Sequence, residues 1–248
     1  MNTLVSWPVA RATLRERGLS PLTLSITGVL ALLGLFRSTV DTWGAEAFSG
    51  FASLWFLLLI LALGAGLLAD EVESGHAQLV LLRPLTRAQW VGGRLAGAAL
   101  VLCGAATLGW LTSLLAAFTR GAWGELPGRL LVLPLALLPA LGWLATLAAI
   151  GAVTRGWSNA GFLVAARAGW GFLHLALPLA LPKLQLQPLL DAVGRHFGPQ
   201  DVLMLARQVQ YGERFEPSGA LWDLFWLFGA WLVAVRLFNL RELARRRG

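Results

Sequence analysis

Six long apolar stretches with almost no charge constrain this chain more than any other feature of its sequence. They are Gly18–Phe36, Ala47–Ala69, Leu95–Thr119, Leu130–Thr154, Gly156–Pro182 and Ser218–Phe238. A helix of about 20 apolar residues crosses the hydrocarbon core of a bilayer. It also satisfies its own backbone hydrogen bonds where no water is available. The sequence therefore predicts an all-α, polytopic membrane protein with six transmembrane helices.

Composition agrees with this class and excludes others. Charged residues make up 13% of the 248 residues, against about 25% in a typical soluble domain. Because six crossings use most of the chain, we expect one transmembrane domain over residues 1–248. The first eighteen residues contain no apolar core long enough for a cleavable signal peptide. The net charge of +7 does not indicate nucleic-acid binding, since the arginines are not clustered with stacking aromatic side chains.

The distribution of basic residues predicts the orientation. With the N-terminus inside, twelve arginines fall on the inner side: Arg11, Arg15, Arg17, Arg83, Arg87, Arg94, Arg155, Arg236, Arg241, Arg245, Arg246 and Arg247. Seven basic residues fall on the outer side: Arg37, Arg120, Arg129, Lys183, Arg195, Arg207 and Arg214. An excess of Lys and Arg marks the cytoplasmic side, so both termini are predicted to be cytoplasmic.

Arg167 lies near the middle of the fifth stretch and leaves two alternatives for it. Either the helix crosses with a buried arginine, or Arg167 lies in a cavity or near the cytoplasmic boundary. An arginine at the bilayer centre costs at least about 2.5–3.5 kcal/mol on insertion scales, which favours the second alternative. His174 is seven residues further on and shares a helix face with Arg167. This face is predicted either to line a substrate path or to make one interhelical pairing, with Asp223 as the partner.

The N-terminal segment, residues 3–17, also has helical spacing. It places Leu4, Trp7, Ala10 or Arg11, and Leu14 at helical spacing, with arginines on the other faces. This pattern predicts an interfacial amphipathic helix on the cytoplasmic leaflet, in contact with membrane lipids. A basic tail without fixed structure is the alternative.

The outer loop, residues 183–217, is too small for a separate domain. Its halves, Gln187–Phe197 and Gln200–Tyr211, are separated by Gly198-Pro199, and each mixes apolar and polar residues at helical spacing. We expect two short helices here, between the fifth and sixth crossings, that lie on or dip into the outer leaflet.

The loop of residues 70–90, between the second and third crossings, carries the most specific pattern. Asp70–Glu73 contains three carboxylates, which suit a helix N-terminus because the helix dipole and free N–H groups stabilise negative charge. A short apolar helical stretch, Leu79–Leu82, follows, and Pro84 ends it. Thr86 can then cap the helix of the third crossing. The loop is predicted to present carboxylates and arginines to a cytoplasmic partner.

This loop contains, in this order, acidic residues, a glycine, leucines, a proline, a small polar residue and arginines. The residues in question are Glu71, Glu73, Gly75, Leu79, Leu82, Pro84, Thr86, Arg87 and Arg94. This order resembles the first cytoplasmic loop of the permease subunits of type-2 ABC exporters. The chain departs from the family pattern at His76, where threonine is more usual, and at Arg94, where lysine is common. Elsewhere the chain agrees with the family in outline.

The resemblance implies a function that composition does not. It implies a coupling helix that docks on a separate ATPase subunit through Asp70, Glu71, Glu73, Gly75, His76, Leu79, Leu82, Pro84 and Arg87. It also implies a dimer with a second permease subunit, as homodimer or heterodimer, in the inner membrane of a bacterium. ATP and Mg would be held by the ATPase, so this chain is expected to need no cofactor and to export an unidentified substrate without being an enzyme.

The residues also bear on other functions. The chain has no G-x-x-x-x-G-K-[ST] motif, so any ATPase must be another chain. An intramembrane enzyme or metal site is disfavoured, because the three histidines are far apart without an H-E-x-x-H pattern and Cys103 is alone. The loop could be an ordinary turn, but acidic residues contribute little to topology. A membrane anchor or energy-transducing unit of a larger ATP-driven machine, without solute transport, is the alternative function.

Overall fold

The computed structural model describes this chain in separate ranges of residues. They are 4–40, 56–70, 85–119, 121, 126–181, 186–196, 198–199, 204–212 and 217–245. The helices within them are α1 (Trp7–Gly18), α2 (Pro21–Val40), α3 (Arg87–Thr119), α4 (Leu126–Gly151), α5 (Ser158–Ala180), α6 (Gln187–His196), α7 (Met204–Tyr211) and α8 (Ser218–Arg245). Residues 56–64 form a further helical segment between α2 and α3. The predicted all-α class is confirmed for the described residues.

Four helices are long and apolar enough to cross a membrane, as expected of a multi-pass membrane protein. They are Arg87–Leu115 of α3, Leu130–Gly151 of α4, Ser158–Ala180 and Ser218–Arg241 of α8. These are the third to sixth predicted crossings. The first predicted crossing is α2, in which Pro21–Leu33 is a shorter apolar helix, and the second is described only from residue 56. The count of six therefore stays a prediction.

The central helix of the described bundle is α3. It packs against α1, α2, α4 and α8, and α8 packs along α4. Leu102 of α3 and Leu144 of α4 are fully buried. Trp90 of α3 stacks on Phe238 of α8 with ring centroids 4.9 Å apart. These contacts fix α3, α4 and α8 relative to one another.

By contrast, α5 lies at the edge of the bundle. It packs lightly against α4 and α6, and Phe172, Leu175 and Leu179 are 69%, 69% and 75% exposed. In a membrane, exposed apolar side chains of this kind meet lipid tails and not water, so their exposure costs little.

The two short helices predicted in the outer loop are confirmed as α6 and α7. The link between them reaches into the bundle, because Gly198 lies against the ring of Trp143 and Pro199 lies against Gly142. Trp222 of α8 holds this link by donating from Nε1 to the Gly198 carbonyl at 3.0 Å. Gly142 is twelve residues into the α4 crossing, a depth of about 18 Å along the helix. The link therefore dips deeply between the helices.

The N-terminal segment is helical, as predicted, and it has two faces. Ala10 and Thr13 are fully buried against α3, while Leu4, Trp7 and Leu14 are exposed. The exposed stripe is the apolar face that the sequence assigned to the membrane surface. Burial of the second face against α3 was not predicted, and it ties α1 to the start of a long crossing helix.

Candidate functional site at the base of the loop

Most of the predicted coupling residues lie outside the described residues. These are Glu71, Glu73, Gly75, His76, Leu79, Leu82 and Pro84. Asp70 and Arg87, which flank them, are described. Arg87 donates from Nη1 to Asn239 Oδ1 of α8 at 3.3 Å, and Asp70 lies near Arg17 of α1. The structure therefore describes the two ends of the loop and what holds each of them.

At the C-terminal end, a capping box starts α3. The Gln89 N–H donates to Thr86 Oγ1 at 3.2 Å, and the Thr86 N–H donates to Gln89 Oε1 at 2.9 Å. This reciprocal pair satisfies two N–H groups that the first turn would otherwise leave free. The predicted cap at Thr86 is thus confirmed. The Ser6 N–H also donates to the Gln89 carbonyl at 3.1 Å, so the start of α1 is joined to the start of α3.

Arg94, one turn further along α3, anchors α1 by its charge. Its Nη1 lies 2.6 Å from Glu16 Oε2 and 3.2 Å from Thr13 Oγ1. The guanidinium also lies 6.0 Å from the Trp90 ring centroid. Arg94 is only 6% exposed, and a buried cation requires partners of this kind, since breaking such a pair leaves an uncompensated charge.

Three glycines of α3 allow α1 to pack closely at this point. A Cβ at Gly93 would lie 2.8 Å from the Ser6 carbonyl oxygen, and one at Gly97 would lie 2.5 Å from the Ala10 carbonyl oxygen. At Gly92, a Cβ would clash with the carbonyl of Leu4. A larger residue at any of the three positions would push the two backbones apart.

At the N-terminal end of the loop, the helix of the second crossing is interrupted, which the sequence did not predict. The helical segment runs to residue 64, residues 65–68 form a turn, and residues 69–70 are helical again. Gly66 has a φ of 66°, a left-handed conformation that suits glycine at a helix C-terminus. A Cβ at Gly66 would also clash with the carboxylate of Asp70. The left-handed φ therefore favours glycine here, and a Cβ would in addition force the Asp70 carboxylate to move.

Asn159, in the first turn of α5, holds this break. Its side chain is fully buried. Its Nδ2 donates to the Gly64 carbonyl at 2.9 Å and to the Leu147 carbonyl at 3.1 Å. Its Oδ1 accepts from the Gly66 N–H at 3.3 Å. One amide thus joins the broken helix, α4 and α5, and it satisfies backbone groups that the break exposes.

Arg17, at the end of α1, holds the same break from the other side. Its Nη1 donates to the Ala65 carbonyl at 2.9 Å, and its Nη2 lies 3.5 Å from Asp70 Oδ2. The first contact is a well-formed hydrogen bond, while the second is long and half exposed. Since α1 also holds Gln89 and Arg94, this single helix contacts both ends of the loop. We call these contacts the α1 brace.

The predicted pair on α5 does not form one site. The Arg167 guanidinium lies 4.8 Å from the ring centroid of Trp143, and its described contacts do not include Asp223. His174 Nε2 lies 2.9 Å from Asp191 Oδ1 of α6. A cavity of about 470 Å³ is lined by His174 and not by Arg167. Each side chain has its own neighbour, so the predicted pairing with Asp223 is wrong, and a shared substrate path stays a prediction.

Sequence patterns missed three residues of this site: Arg17, Gly66 and Asn159. Gly66 was the most visible, as a glycine close before the acidic run. Among the described residues, no three His, Cys, Asp or Glu side chains are grouped so that they could hold a metal ion. The described groups instead join helices to one another at the two ends of the loop. No protein-family model and no curated protein matches this chain.

Proposed function

We propose that this chain is the transmembrane subunit of an ATP-driven exporter of the type-2 ABC class. The acidic loop of residues 70–90 supplies the resemblance, and the α1 brace is the observation that carries the proposal. A loop that receives force from a partner must be fixed to the spans at both ends. Arg17 meets this need at one end, and the joined starts of α1 and α3 meet it at the other.

In this proposal, a separate ATPase subunit binds ATP and Mg and docks on the loop. Two such ATPases serve a dimer of permease subunits. When the ATPases close, the loop moves with them, and α1 moves with the loop. Because α3 continues from the loop without a break for 33 residues, the displacement reaches the far side of the membrane along α3. The spans then open outward and release the substrate.

The test is whether an ABC ATPase associates with this chain and whether that association depends on the loop. The tagged full-length chain is purified in mild detergent, and the eluate is assayed for a co-purifying ABC ATPase and for vanadate-sensitive ATP hydrolysis. The variant Glu71→Lys/Glu73→Lys is expected to lose most of the bound ATPase while still inserting into the membrane. The matched control is Glu125→Lys/Glu213→Lys, which reverses two carboxylates on the predicted outer side and should retain the ATPase.

Two results would overturn the proposal. One is the absence of any ATPase in the wild-type eluate. The other is equal retention of the ATPase by both double variants, which would mean that the loop does not dock. If the ATPase binds but no lipid, drug, peptide or polysaccharide precursor changes its rate, the energy-transducing alternative replaces export.

A further inference from the structure

An apolar groove of about 550 Å³ opens along one side of the bundle, between α4, α5 and α8. Ile150 of α4, Val153 in the turn after α4, Phe162 of α5, and Phe225 and Val233 of α8 form its wall. All three helices are long and apolar enough to cross a membrane. The groove is therefore a surface that membrane lipid can enter from the side.

The wall offers no free polar group along its length. Thr146 Oγ1 accepts from Trp226 Nε1 at 2.9 Å and donates to the Gly142 carbonyl at 2.9 Å. Thr154 Oγ1 donates to the Ile150 carbonyl at 3.0 Å. Since the hydroxyls already have partners, a polar occupant would lose its own hydrogen bonds on entry. The occupant of the groove must be hydrocarbon over most of its length.

One end of the groove is basic, and Arg241 marks it. Its Nη1 donates to the carbonyls of Ala152 and Thr154 at 3.2 and 3.0 Å, and Thr154 lines the groove. A guanidinium carries five N–H donors. Both of these bonds come from Nη1, so the Nη2 and Nε donors remain for a further acceptor.

Two more arginines lie at the same end. Arg155 directly follows Thr154, and Arg236 follows Val233 by three residues, which puts it on the same side of α8. Both are exposed. The ion pairs among the described residues involve Arg17, Arg94 and His174, and neither of these two arginines. Arg241 lies about 140° around α8 from Arg236, and its bonds to the Ala152 and Thr154 carbonyls bring its guanidinium back to this end of the groove.

We propose that this groove binds an anionic membrane phospholipid. One acyl chain lies along the wall, and the phosphate lies between Arg155, Arg236 and Arg241. The hydrocarbon wall alone would accept any lipid tail, while the three arginines select for negative charge. Basic pockets between transmembrane helices commonly bind anionic headgroups in this way. The site does not depend on the proposed function, because neither the loop nor the α1 brace contributes to it.

Native mass spectrometry of the full-length chain, released from nanodiscs of equal phosphatidylglycerol and phosphatidylcholine with the same acyl chains, tests this site. The wild type is expected to retain phosphatidylglycerol preferentially. Removing charge in Arg155→Gln/Arg236→Gln should lower this preference about fivefold for each arginine. Both side chains are exposed, so the fold should be unaffected.

A second variant tests the groove itself. Gly229 lines it, and a Cβ there would meet nothing within 4 Å, so Gly229→Leu should occupy the groove without strain and remove the retained lipid. The control is Gly104→Leu on α3, where a Cβ also meets nothing within 4 Å but the groove is not touched. Equal retention of the two lipids by the wild type, or full retention by Gly229→Leu, would overturn the proposal.

Discussion

Replacing Asn159 with leucine tests the account of the helix break most directly. Leucine keeps the branching and the number of heavy atoms and removes the amide, so the Gly66 N–H loses the acceptor it has in the described structure. A buried donor without a partner costs about 1–3 kcal/mol. The Gly64 and Leu147 carbonyls each lose one bond from Nδ2, and such bonds between membrane helices average about 0.6 kcal/mol. Together these losses come to about 3 kcal/mol.

The assay is thermal unfolding of the purified chain, followed by size-exclusion chromatography after heating. For a protein of this size, about 3 kcal/mol lowers the midpoint by roughly 6–12 °C. The control is Asn239→Leu, which removes the same side chain from a half-buried site with a single 3.3 Å contact to Arg87, and it should lower the midpoint by much less. If both variants unfold at the same temperature, Asn159 does not hold the break and the account is refuted.

Two glycine substitutions extend the same reasoning. Gly66→Ala should be more destabilising than Gly212→Ala in the same thermal assay: both have a φ of 66°, but only at Gly66 would a Cβ displace a carboxylate, that of Asp70, from its contact with Arg17, and equal effects would contradict this. Gly97→Val should raise hydrogen exchange of α1 amides by separating α1 from α3, because its Cβ would lie 2.5 Å from the Ala10 carbonyl oxygen. Gly104→Val on the same helix meets open space and should leave that exchange unchanged, so protection of α1 in both variants would argue against close packing.

The sequence predicted the helices and the Thr86 cap well, because the residues that determine them lie close together in the chain. Thr86 caps α3 because its partner, Gln89, is three residues away, and a capping box is visible in sequence. The helices on each side of Gly198-Pro199 follow from apolar spacing and a break that glycine and proline mark. The long helices follow from runs of apolar residues that are as long as a membrane is thick.

The sequence did not predict side-chain contacts between residues that are distant in the chain. Asn159 bonds to Gly64 and Gly66, which are 95 and 93 residues away. Arg17 bonds to Ala65, 48 residues away, and in sequence it reads as one of several basic residues before the first crossing. A pairing of Arg167 with Asp223 was one of two alternatives, since both residues, like Arg236, lie near the hydrocarbon. The structure places the Arg167 guanidinium over the ring of Trp143 instead, an attraction between a cation and an aromatic face.

The two ends of the loop differ in a way that bears on mechanism. The C-terminal end runs through Thr86 into α3, whose backbone hydrogen bonds continue to Thr119. The N-terminal end runs into a turn at residues 65–68 that depends on the side chains of Asn159 and Arg17. A displacement of the loop would therefore travel rigidly along α3, while the turn bends. Because Arg17 belongs to α1 and α1 is fixed to α3, the turn is pulled along with α3. If the loop does receive force from an ATPase, weakening Asn159 should uncouple hydrolysis from transport less than weakening Arg94, since of these two residues it is Arg94 that fixes α1 to α3.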